Sequence, residues 1–168
     1  FTAEKADSLR RVQDSLTEIN TTAGLLSQGV NLKGFTDSVG DLASEIERIN
    51  NDKIKQLQED FSKLPQAVQE SLASTMEKTI ANINQQTEEA KKAVKEINRL
   101  TVEGMDENGV LQEGYLQQIQ MLTDGLMMNY AEALGETAEQ TKQIYDSLTA
   151  DITEMTSAQI GKRLDFLQ

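Results

Sequence analysis

The sequence predicts an all-α protein, with long amphipathic helices forming an elongated coiled coil or helical bundle that associates with copies of itself. Three observations carry that expectation. Apolar residues recur at steps of three and four along most of the chain, while the strict alternation of a strand never persists. Hydrophobic residues make up only 38% of the 168 residues, which suits thin helical packing, where each helix offers one apolar stripe, better than a sphere. The single proline and the glycines of 29–34 and 104–109 fall where the stripes are interrupted.

The first stripe is Leu9, Val12, Leu16, Ile19, Ala23, Leu26 and Val30, a heptad pattern. Gly29 and Gly34, with Asn31 between them, are expected to break it, because they favour the left-handed conformation that ends helices. A second stripe, Phe35, Val39, Leu42, Ile46 and Ile49, slips by five residues to Ile54 before continuing through Leu57, Phe61 and Leu64. Pro65 disfavours helix at Leu64 and fits the first turn of a new one, so a helix is expected to end near Lys63 and another to open at Pro65. That third helix carries Val68, Leu72, Met76, Ile80, Ile83, Ala90, Val94 and Ile97 and ends in the glycines of 104–109.

A fourth helix is expected through Leu111, Tyr115, Ile119, Leu122 and Leu126, with Tyr130 and Leu134 near its end and Gly135 as its stop. Thr137 followed by Gln140 has the spacing of a capping box, opening a fifth helix through Ile144, Leu148, Ile152 and Met155. The chain thus reads as heptad-bearing helices over 1–64, one long amphipathic helix over 65–103 and an acidic helical segment over 104–168, where eleven acids face three bases. It opens on Phe1, and apolar spacing continues through Ile160, Leu164 and Leu167, so it reads as a segment of a longer protein.

Composition bears on function by exclusion. Without His or Cys there is no thiolate nucleophile, no Ser-His-Asp triad and no zinc site of the common ligand types, so no enzyme, cofactor or metal is expected. A net charge of −12 repels phosphate backbones, and seven aromatics offer little stacking, which speaks against specific nucleic-acid binding. No apolar run approaches the roughly 20 residues that cross a bilayer, so no membrane contact is expected from this segment.

The remaining motifs have ordinary structural readings. Asp106-Glu-Asn108-Gly109 imitates the middle of an EF-hand loop, but alignment on Gly109 puts Gly104 and Tyr115 where carboxylates belong, leaving a polar turn held by Asn108 and Gly109. The adjacent carboxylates Glu59 with Asp60 and Glu88 with Glu89 point about 100° apart on a helix and have lysines nearby, so they read as solvated ion-pair partners. Lys91, Lys92, Lys95 and Arg99 interleave with Glu88, Glu89 and Glu96 as a salt-bridged face. Met121, Met127, Met128 and Met155 read as core filler, with an adaptable partner groove as the functional alternative.

Gln/Thr/Ser-rich amphipathic helices, the passage from Phe61 to Leu72 with its Leu64-Pro65 helix start, and the passage from Gly109 to Ile119 together resemble a segment of the tape measure proteins of long-tailed bacteriophages of Gram-positive hosts. The resemblance implies a structural role in the virion tail, after assembly in the host cytoplasm. Several copies would lie in the tail lumen or tail tip beside tail-tube or tail-tip proteins, help to set tail length and leave at DNA ejection. The membrane-active and peptidoglycan-cleaving segments of some family members have no counterpart here. The competing reading is a secreted or surface helical-bundle interaction module of the L-x-G or helical-hairpin export type, to which Leu32-Lys33-Gly34 points.

Self-association is expected through Leu9, Val12, Leu16, Ile19, Leu26, Val39, Leu42, Ile46, Ile49, Leu72, Ile80, Ile83, Val94 and Ile97. These stripes can pair within one chain as antiparallel hairpins or between copies as a parallel rod. The second is the expectation for the native assembly; the first would use turns at 29–34 and 104–109, and turns are expected at Gly34, Pro65, Asn108, Gly109 and Gly135.

Overall fold

The stripes fold back on one another. The computed structural model describes residues 2–23 and 32–149, of which 88% are helical, with no strand among them. Five helices follow in order: α1 (Ala3–Ala23), α2 (Leu32–Ser62), α3 (Gln66–Glu103), α4 (Glu113–Leu134) and α5 (Ala138–Thr149). α2 packs against α1, α3 and α4; α4 also packs against α3 and α5. Cross-helix contacts run in opposite chain directions, as between Ser8 and Glu45 and between Ser15 and Asp41, so neighbours in sequence are antiparallel.

Helix ends that lie within the described residues have local causes. Thr2 caps α1, its hydroxyl accepting from the Lys5 backbone N–H at 3.2 Å. α2 ends at Ser62, and Gln69 of the first turn of α3 donates to the carbonyls of Ser62 and Leu64, satisfying acceptors that have no intrahelical partner. Pro65, with φ −57° and ψ 149°, is the N-cap of α3. Gly135 closes α4 in extended conformation, and Thr137 with Gln140 caps α5: the Thr137 hydroxyl accepts from the Gln140 N–H, and the Gln140 side chain accepts from the Glu136 N–H.

Two expected turn features come out differently. Gly34 lies in the first turn of α2, not in a break; near a helix N-terminus a glycine costs little, and the loosening it was expected to cause would fall on 24–31, outside the described residues with Leu26. Leu111 precedes α4: it is buried and bridges to Met105 across a tight turn. In that turn Asp106 Oδ1 accepts from the N–H groups of Asn108 and Val110 at 2.8 and 2.9 Å, so its carboxylate is occupied by the turn itself. Gly109 takes φ +76°, which an L side chain rarely adopts. Gly104 is needed for closeness instead, since a Cβ there would lie 2.6 Å from the Tyr115 Cβ and 2.7 Å from the Leu100 carbonyl oxygen.

The core is built at one end of this arrangement. Phe35, Val39, Leu42 and Ile46 of α2 meet Leu9, Val12, Leu16 and Ile19 of α1, Ile97 and Leu100 of α3, Ile119, Leu126 and Tyr130 of α4, and Ile144 and Leu148 of α5. The segments 1–64, 65–103 and 104–168 therefore all contribute to one core. α3, the longest element with 38 residues, spans about 57 Å at 1.5 Å per residue.

Candidate functional site

The α2–α3 pair outgrows the core. The last buried residue of α2 is Asn50 and the first of α3 is Thr87. Between them residues 51–86, helical but for the turn at 63–65, contain no buried residue. They form an arm of two antiparallel helices, and its α3 portion, 66–86, runs about 30 Å. Val68 and Leu72 are 37% and 41% exposed, and Ile54, Leu57, Phe61, Leu64, Met76, Ile80 and Ile83 are half-buried. Two helices cover only part of each other's apolar stripe, so this surface remains accessible.

The boundary between core and arm is polar. Asn50 Nδ2 donates to Thr87 Oγ1 at 3.0 Å and Gln86 Oε1 at 3.2 Å, and Asn129 of α4 donates to the Gln86 carbonyl at 3.0 Å. This layer ties α2, α3 and α4 together where the core ends. The five-residue slip from Ile49 to Ile54 marks the same place: continued without it, the stripe would assign Lys53 to an apolar position. Burial pushes the Lys53 ammonium below the usual lysine range, and the nearby Lys5 ammonium adds to this while Glu136 opposes it.

A cleft of about 710 Å³ opens beside this root, between the start of α1, the middle of α2 and the end of α4. Several of its charges are paired. Lys5 meets Glu136 at 3.4 Å and donates to Gln140. Glu45 collects the others, accepting from Ser8 at 2.9 Å, from Arg11 at 3.2 Å and from Arg48 at 2.5 Å, while Ser8 also bonds the hydroxyl of fully buried Tyr130 at 2.8 Å. Burial raises the Glu45 pKa, but the hydrogen bonds from Arg48, Ser8 and Arg11 outweigh it and hold the carboxyl below its ordinary value. Burial dominates at Tyr130 and pushes its phenol well above the usual tyrosine range. These groups lock α1, α2 and α4 together. Among the described residues no group of three or more Asp or Glu could hold a metal ion, and no helix is long and apolar enough to cross a membrane.

The residues expected to self-associate divide between core and arm. Leu9, Val12, Leu16, Ile19, Val39, Leu42, Ile46, Ile49 and Ile97 are buried by the chain's own helices. Val94 is half-buried beside them. Leu72, Ile80 and Ile83 lie on the arm. Among the methionines, Met127 is core, Met128 is half-buried and Met121 is 75% exposed; Met155 lies outside the described residues. The basic run is salt-bridged in part: Lys91 pairs with Glu47 and Glu88, and Arg99 with Glu96 and Glu103.

No protein-family model matches the chain, and neither a curated protein nor a solved structure matches it.

Proposed function

We infer that this chain is a non-enzymatic structural component of a bacteriophage tail, a helical segment of a tape measure protein acting in the tail lumen or at the tail tip with other copies and with tail-tube or tail-tip proteins. The observation that carries the structural reading is the arm: 36 residues of mostly helical chain, 51–86, without a buried residue, built for contact with another molecule and not for a reaction. The tail assignment rests on the sequence resemblance. The fold changes what such a segment would measure. Fully extended, 168 helical residues would span roughly 250 Å, whereas α3, the longest helix among the described residues, spans about 57 Å.

In-frame removal of the segment from the gene that encodes it, followed by electron microscopy of particles, tests this. Tails shortened by about 60 Å are expected if the segment keeps its fold, and by about 250 Å if it is extended in the tube. Tails of unchanged length and normal infectivity would overturn the tail-length role. One observation favours a second reading, a secreted or surface helical-bundle module: the sequential helices pair antiparallel within one chain, as such a module requires. Recovery of the chain from culture medium or the cell surface in place of purified virions would decide for it.

A further inference from the structure

The arm carries a charge pattern unlike that of the rest of the chain. Residues 51–86 hold four lysines, Lys53, Lys55, Lys63 and Lys78, and five acids, Asp52, Glu59, Asp60, Glu70 and Glu77, so the arm carries −1 while the chain carries −12; Asp52 pairs with Arg48 at the root, which leaves eight other charges. Not one of these eight forms a salt bridge with another described residue. In the core region Lys5, Arg10, Arg11, Lys33, Arg48, Lys91 and Arg99 form salt bridges with described residues, while Lys92, Lys95 and Lys142 do not. Apolar area and charge of both signs without a salt bridge thus occur together along a stretch of the described chain that has no buried residue.

We propose that the arm docks side by side, and antiparallel, on the arm of a second copy of this chain. Two copies repel each other through most of their acidic surface, but only weakly through an arm that carries −1. Orientation follows from where the charges lie. Lys53, Lys55 and Lys78 sit toward the root, and Glu59, Asp60 and Glu70 toward the tip, with Lys63, Glu77 and the Arg48-paired Asp52 as the exceptions. An antiparallel pair brings root lysines to tip acids; a parallel pair sets like against like at most levels. Exposed charges at this spacing select orientation more than they add affinity, and the affinity comes from Leu57, Phe61, Val68, Leu72 and Met76, which a four-helix arrangement covers as a two-helix one does not. Such a two-fold pair is isologous, each arm presenting the same surface. It has no direction, whereas a tail tube has one, so the pair belongs to the chain before incorporation in a tube. It does not rest on the tail reading, and either can fail alone.

Sedimentation of the chain from about 1 to 200 µM, a range that brackets a micromolar dissociation constant, is expected to show a monomer–dimer equilibrium, weakened at least about tenfold by Leu72→Glu with helicity unchanged. The chain has no cysteine, so single cysteines report orientation. A mixture of Val68→Cys and Ile83→Cys is expected to form the mixed disulfide dimer in preference to either homodimer. A monomer throughout the range would overturn the pairing. A dimer that Leu72→Glu leaves intact, or Val68→Cys homodimers in excess over the mixed species, would overturn the antiparallel arm contact.

Discussion

Replacing Leu42 by alanine is expected to lower the unfolding free energy by about 2–5 kcal/mol, the range for a large-to-small change in a packed core, whereas Leu72→Ala, measured where the chain is monomeric, is expected to cost about 1 kcal/mol or less. Both leucines belong to stripes of the same kind, and helix propensity changes little in either case. Their surroundings differ. Leu42 is fully buried among residues of the common core, and its loss leaves a void bordered by several helices. Leu72 is 41% exposed on an arm with a single neighbouring helix, so water fills what the side chain vacates. Urea unfolding followed by circular dichroism checks the pair. Similar losses at the two sites would contradict the division into a packed core and an uncovered arm.

Glu45→Gln is expected to cost about 1–3 kcal/mol at pH 7, because the neutral amide keeps the size of the side chain but replaces charge-assisted bonds from Arg48 and Arg11 with weaker ones. Arg11 and Arg48 are 49% and 42% exposed, so water rehydrates them and the penalty of a fully buried broken pair does not apply. The loss depends on pH. With the folded carboxyl held below its ordinary value, the unfolded chain takes up a proton at Glu45 first as the pH falls. The stabilisation is therefore complete above the ordinary carboxylate pKa of about 4.3 and fades as the pH drops through the depressed folded value. Unfolding curves of the two proteins should converge as the pH falls below the depressed folded value. A difference that stays constant from neutral to acid would show that Glu45 acts through packing alone.

Much of the local structure was legible in the sequence. The stripe Phe35, Val39, Leu42, Ile46 and Ile49 is the buried face of α2, Pro65 separates α2 from α3, and Gly135 with Thr137 and Gln140 set the α4–α5 junction, because caps and steric restrictions act over a few residues. Partner choice was not legible. Periodicity identifies which face of a helix is apolar but not what covers it. The stripe Val68, Leu72, Met76 and Ile80, which stays accessible, has the same character as Ala90, Val94 and Ile97, which pack in or against the core. The junction of Ser8, Glu45 and Tyr130 joins residues as far as 122 apart in sequence, and no spacing rule reaches that distance. The five-residue slip after Ile49 was the available signal for the arm, since it marks where a core-facing stripe loses its register and Asn50 and Lys53 take its place.

Native-state hydrogen exchange tests most directly whether the apolar stripes are used within the chain everywhere except on the arm. At a concentration where the chain is monomeric, amides of 35–50, 90–101 and 119–134 are expected to exchange only through global unfolding. Those of 54–62 and 68–83 are expected to open at much lower free energy and to gain protection as concentration rises. Uniform protection across α2 and α3 at all concentrations would contradict the account, because it would mean that the arm is held within the monomer as firmly as the core.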